Sequence, residues 1–234
     1  MFRIRFHGRG GQGMKTASRI LGSAFFLEGY EVQDAPRYGA ERRGAPIFAY
    51  VRASRKAINE RGVIHHPDLV VVADDSLVPV PAAGVLQGLD SHTTLLINSH
   101  TDPRTWQQRL NLAATVLILP AAEELEDRAE LPMAGTACAG AAARLIGVIS
   151  RDALADALRT ELAALGPQAL DENLKTALHA YDLMAAHAGS VSEGTEISAS
   201  DYARPDWVDM TSEAVDQAAP SIHAAATSVE VKTG

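Results

Sequence analysis

The chain has 234 residues, 47% of them hydrophobic but only 5% aromatic, and 21 Lys and Arg against 29 Asp and Glu leave a net charge of −8. That length can bury one good-sized α/β core, while the longest apolar runs, such as 69–73 and 116–119, have strand length and fall far short of a membrane span. A single cysteine, Cys138, excludes an internal disulfide and any iron–sulfur cluster held by this chain alone, because a cluster normally takes four thiolates.

Charge is unevenly spread. Residues 1–65 hold twelve Arg and Lys against five acids, whereas 188–234 hold eight acids against Arg204 and Lys232. The basic residues coincide with glycine-rich segments and lack interleaved aromatics, which argues against nucleic acid and for a phosphate-bearing ligand or an acidic partner. Met1 leads straight into a strand pattern without a secretory signal, so a cytoplasmic location is expected.

Phe2, Ile4 and Phe6 alternate with charged residues, the period of a strand. Gly8, Gly10, Gly11 and Gly13 then crowd into six positions, after which Ala17, Ile20, Leu21, Ala24 and Phe25 recur at helical spacing until Gly29. Strand, glycine loop and helix open many nucleotide- or anion-handling domains, because glycines leave backbone N–H groups unobstructed and the helix start adds its positive dipole end. Gly8-x-Gly10-x-x-Gly13, with Asp34 at 21 residues further on, satisfies the dinucleotide fingerprint. Against it stand Arg9 inside the motif and a second strand that runs into Pro36 rather than a helix. A Walker loop fails by register, since Lys15 follows Met14 and not a glycine. Something anionic, or a partner's backbone, is expected to come close to the loop; the plain alternative is a tight turn that only packs strand on helix.

A short strand at 31–34 delivers a cluster from Pro36 to Pro46 rich in charge, with Tyr38, Glu41, Arg42 and Arg43 among small residues. A strand follows at 47–52, then a polar loop or hairpin at 54–66. Runs at 69–72, 94–98 and 115–119 read as strands buried on both faces of a parallel sheet. Asp74 and Asp75 resemble a carboxylate pair, but capping of the turn at Ser76 explains them more simply. His65 and His66 beside Asp68 suggest a metal, yet neighbours on an extended chain point opposite ways and do not share an ion. Three helices are expected, over 132–149, from the Ser150 cap to Leu165, and over 168–187. The first is so rich in Ala and Gly that another backbone can lie against it, and Cys138 within it reads as a small buried residue. From Ala188 the composition turns to Ser, Thr, Asp and Glu, as in a tail ordered only across a partner.

Three segments together carry a resemblance: Gly8-Arg9-Gly10-Gly11-Gln12-Gly13; Pro36-x-Tyr38-Gly39-x-Glu41-x-Arg43-Gly44-x-Pro46; and 67–74 from Pro67-Asp68 to Ala73-Asp74. In this order and spacing, over residues 1–180, the chain resembles the gamma subunit of the 2-oxoacid:ferredoxin (acceptor) oxidoreductases. The resemblance implies a three-layer α/β/α domain at 1–187 with a mostly parallel sheet, and an acidic extended tail at 188–234 wrapping a partner. It implies a complex that oxidatively decarboxylates a 2-oxoacid with CoA to an acyl-CoA. Thiamine diphosphate with Mg2+ would sit between alpha and beta subunits. [4Fe–4S] clusters in beta and in a ferredoxin-like delta subunit would pass electrons to ferredoxin or NAD. Gamma would hold none of these cofactors. Its expected role is architectural and gating, packing on alpha and beta and closing the site around CoA, with Gly8, Arg9, Gly10, Gly11, Gln12, Gly13, Tyr38, Glu41 and Arg43 facing CoA or a partner subunit. The rival readings are a stand-alone dinucleotide-dependent oxidoreductase and a purely structural interaction module.

Overall fold

The computed structural model describes residues 1–36, 45–120 and 134–194. Met1–Thr195 form one compact unit, and Glu196–Gly234, a second unit, lie outside the described residues.

The hydrophobic alternation at the start becomes β1 (Phe2–Arg9), and the helical period becomes α1 (Met14–Leu27). β2 (Glu31–Pro36) runs two residues beyond the expected strand, and β3 (Pro46–Ser54) pairs with it antiparallel. The apolar runs supply β4 (Leu69–Val72), β5 (Thr94–Ser99) and β6 (Thr115–Pro120). Between the last two lies α2 (Pro103–Leu110), a helix the periodicity reading missed. Its signals were local: Asp102 caps the Thr105 amide, and Pro103 occupies the first turn. α3 (Ala134–Ile146), α4 (Arg151–Glu161) and α5 (Pro167–Leu183) follow. Ser150 accepts from the Ala153 amide as the expected cap, but α4 ends at Glu161 and the stripe to Leu165 continues as a 3-10 turn.

The six strands form one sheet in the order β2-β3-β1-β4-β5-β6. β1, β4, β5 and β6 are parallel neighbours, and β3 alone opposes the other five. On one face, Phe2, Ile4, Phe6, Leu69 and Val71 meet α1 and α3, with α4 and α5 packed outside them. Phe2, Phe25 and Tyr30 form an aromatic cluster there, with centroids 5.3–6.2 Å apart. Completely burying a ring such as Phe6 or Phe25 contributes about 1.5–3 kcal/mol.

The opposite face is covered differently at its two ends. Under β4 and β5, Val70, Val72, Leu95 and Ile97 pack on Trp106 of α2 and on the 3-10 turns that follow β4. Under β1 and β3 lie Arg3, Arg5, His7 and Arg52, all buried. The irregular segment before β4 covers them: Glu60 pairs with Arg3 at 2.5 Å, Gly62 accepts from Arg52, and Ile64 accepts from Arg5. Past Ala188 the chain stays with the domain as far as Gly194. Gly189 and Val191 donate to Arg144 and Leu145, and Val191 is buried.

Candidate functional site

The glycine segment begins inside the sheet. Gly8 stands opposite Ile47 in β3, and Arg9, still in the strand, stands opposite Pro46. The chain then turns: the Gly10 amide donates to the Ala45 carbonyl and the Gln12 amide to that of Arg9, at 2.9 and 3.0 Å. Gly11 and Gly13 adopt φ of 100° and 76°, left-handed values that a Cβ would strain. Gly13 is the N-cap of α1 and, as a glycine, brings no capping side chain of its own. Its first-turn donors therefore lie at an exposed, glycine-lined start, where the dipole favours negative charge.

Beneath the turn a buried cluster fixes its shape. The Asp74 carboxylate, at the end of β4, accepts from Arg9 Nε at 2.8 Å and from Gln12 Nε2 at 3.4 Å. Its other oxygen accepts from the Ser76 amide at 3.0 Å and from the Ser76 hydroxyl at 2.5 Å. Arg9 Nη2 donates to Ser76 Oγ, and the Arg9 amide donates to Gln12 Oε1, both at 2.8 Å. Burial alone would raise the Asp74 pKa, but Ser76 and then Arg9 hold it below the usual carboxylate value. Sequence reasoning found the Ser76 cap and missed the ion pair. Its partners are 65 positions apart, and only the parallel β1–β4 register brings them together.

A cleft of about 290 Å³ opens beside the turn, lined by Gly11, Gly13, Thr16, Arg19, Gly135 and Leu165 among others. α3 approaches so closely here that a Cβ on Gly135 would sit 2.6 Å from the Gly13 carbonyl oxygen. The loop is thus pinned from two sides, by Asp74 below and by the start of α3 alongside.

Tyr38, Glu41 and Arg43 lie outside the described residues. His65 and His66 are exposed, while Asp68 is buried and accepts from the Arg3 amide at 2.7 Å. Among the described residues, no three His, Cys, Asp or Glu are grouped to hold a metal. Cys138 is buried in α3 and its thiol is pushed up to about 12 by desolvation, so it does not fit a cluster ligand. No helix among the described residues is long and apolar enough to cross a membrane.

Two buried groups on β1 escaped the sequence reading. His7 Nδ1 lies 3.0 Å from the Ala83 carbonyl, which can only accept, so Nδ1 carries the proton. Desolvation, then the Arg5 charge, pushes this imidazole down to about 3. Arg5 donates to the Ile64 and Val85 carbonyls and is itself pushed down to about 10 by burial.

Topology bears on the dinucleotide reading. In a dinucleotide fold the acidic residue ends the strand beside the glycine loop. Here β3 separates β2 from β1, so Asp34 stands two strand spacings, roughly 9.5 Å, from the loop strand. At the neighbouring ends of β1 and β4 stands the Arg9–Asp74 ion pair, 2.8 Å apart.

Residues 3–183 match the family described as pyruvate ferredoxin/flavodoxin oxidoreductase. The chain is 35% identical over 184 residues to the pyruvate/ketoisovalerate oxidoreductases common subunit gamma of Pyrococcus furiosus, covering 78% of this chain and 96% of that one. It is 37% identical to pyruvate synthase subunit PorC of Methanocaldococcus jannaschii, covering 79% and 97%. The crystal structure of the pyruvate oxidoreductase subunit PORC from Thermotoga maritima superposes with a TM-score of 0.61 at 30% identity, covering 77% and 95%. A 2-oxoglutarate:ferredoxin oxidoreductase from Magnetococcus marinus, a structure with 2-oxoglutarate, coenzyme A and succinyl-CoA bound, shares the fold with a TM-score of 0.57 at 20% identity. That likeness covers 82% of this chain and 32% of the larger one. The chain therefore belongs to the pyruvate ferredoxin/flavodoxin oxidoreductase family, as a gamma-type subunit of a multi-subunit 2-oxoacid oxidoreductase.

Proposed function

We propose that this chain completes the CoA side of the reaction chamber in a cytoplasmic complex with alpha, beta and ferredoxin-like delta subunits. Thiamine diphosphate with Mg2+ and [4Fe–4S] clusters belong to those partners. Held by those partners, thiamine diphosphate would supply the 2-oxoacid decarboxylation chemistry and the clusters the path for electrons to ferredoxin or NAD, with CoA as acceptor of the acyl group. The gamma chain presents Gly8, Arg9, Gly10, Gly11, Gln12 and Gly13 to that chamber, Tyr38, Glu41 and Arg43 serve the same contact, and the acidic segment after Gly194 serves as the contact to a neighbouring subunit.

The observation that carries this reading is the turn itself, an exposed helix start capped by a glycine, reached through two left-handed glycines and braced by the half-buried Arg9–Asp74 ion pair. Such a surface favours a diphosphate or a closely apposed backbone. The coenzyme A and succinyl-CoA bound to the larger Magnetococcus marinus enzyme are ligands of the diphosphate kind.

One feature favours the purely architectural alternative. Asp74 already neutralises the Arg9 charge, which weakens any direct grip on phosphate. Arg9→Ala and Arg43→Ala in the assembled complex separate the two readings. Ligand contact raises KM for CoA while the subunits stay together, whereas a scaffolding role makes the complex dissociate with KM for CoA unchanged in what remains.

A further inference from the structure

We propose that Asp74 is a positioning residue for the CoA half-reaction, acting through Arg9 and the Gly10–Gly13 turn. The proposal rests on the reading that this turn meets CoA.

The geometry gives Asp74 more than a capping role. A cap needs one oxygen, and the Ser76 amide and hydroxyl both use the same one. The second oxygen is aimed across the strand ends at Arg9 Nε and Gln12 Nε2. Arg9 Nη2 donates to Ser76, so the Asp74, Arg9 and Ser76 side chains close a ring, and Gln12 ties it to the main chain by accepting from the Arg9 backbone amide. The Asp74 side chain is fully buried, whereas Arg9 is 27% exposed. The carboxylate is thus the fixed member and the guanidinium the member that reaches the surface. The arrangement anchors the turn after β1 to the end of β4 through a charge-assisted bond, the strong kind in a partly desolvated setting. A guanidinium held by Nε keeps its plane fixed, which matters where a planar cation faces a phosphate or a carbonyl.

Asp74→Asn tests this. The amide keeps the size and one acceptor for Ser76, but it sets an NH2 donor against Arg9 Nε or withdraws the cap. In the reconstituted complex we expect KM for CoA to rise about ten- to a hundredfold, the loss of one charge-assisted hydrogen bond. KM for the 2-oxoacid and kcat at saturating CoA should stay within about threefold. Because Asp74 acts through Arg9, the Arg9→Ala and Asp74→Asn double variant should be no worse than Arg9→Ala alone. Ser76→Ala, which removes a hydroxyl bonded to both partners and is less disruptive to folding, should give a smaller rise of the same kind.

If Arg9→Ala raises KM for CoA while Asp74→Asn and Ser76→Ala do not, Asp74 is only a cap and the inference is overturned with the CoA reading intact. Additive effects of the two substitutions overturn it likewise. If Arg9→Ala also leaves KM unchanged in an intact complex, the CoA reading falls and takes this inference with it.

Discussion

At the residue scale the buried titratable groups make opposing demands on pH. Folded His7 titrates near 3 and an unfolded histidine near 6.5. Between those values the unfolded chain binds the extra proton, so the stability present above about 6.5 is lost as pH falls toward 3. Asp68 runs the other way: desolvation pushes it up to about 6 from 3.8. Between those values the native chain holds the extra proton, and acidification adds stability. The two slopes largely cancel from about pH 6 to 4. Asp68→Asn should remove the offset, so that urea midpoints measured from pH 7 to 4 fall more steeply than in the parent chain. The added slope is at most about 1.4 kcal/mol per pH unit. His7→Asn in that background should flatten the curve again. None of this was legible beforehand. The alternation in β1 separated Phe2, Ile4 and Phe6 from Arg3, Arg5 and His7, but nothing in a polar stretch such as 55–66 announces that it will fold over them.

At the scale of elements, close backbone approaches decide the packing. The small residues of α3 marked a helix that another backbone could meet, and two do. Gly135 lies on the turn at Gln12 and Gly13, and Gly140 lies on Ala177 of α5. A methyl group on Gly140 would collide with the Ala177 carbonyl, so Gly140→Ala should cost about 1–3 kcal/mol in chemical unfolding. The strap from Gly189 to Gly194 docks on the same compact unit as the sheet and helices. A Cβ on Gly194 would run into the Asp68 carboxylate and sit 2.8 Å from Arg3 Nη1, while the Met1 nitrogen donates to the Gly194 carbonyl at 3.3 Å. Gly194→Ala should lift the strap locally. Hydrogen exchange at the Gly189 and Val191 amides should accelerate about tenfold while the thermal midpoint hardly moves. The composition change at Ala188 marked where polar sequence begins. The docking that follows depends on one valine and on backbone donors, which composition does not record.

For the whole molecule, the strands and most helices were readable from hydrophobic period, whereas strand order was not. Inserting β3 between β1 and β2 turns a dinucleotide fingerprint into something else without altering a single glycine. The purified chain should therefore give no saturable heat with NAD or NADP in titration calorimetry up to millimolar concentration. The glycine turn was legible as a candidate site because its residues are contiguous. Its brace was not, because Asp74 joins Arg9 only through the pairing of β1 with β4.

The inert sulfur in α3 has a practical consequence. Cys138 is the one cysteine in the chain, and it is completely enclosed. A thiol introduced at an exposed position, such as Lys175 on α5, would be the sole accessible thiol for a maleimide. A fluorophore or spin label attached there would report the comings and goings of this subunit within its assembly, with the native sulfur left in place.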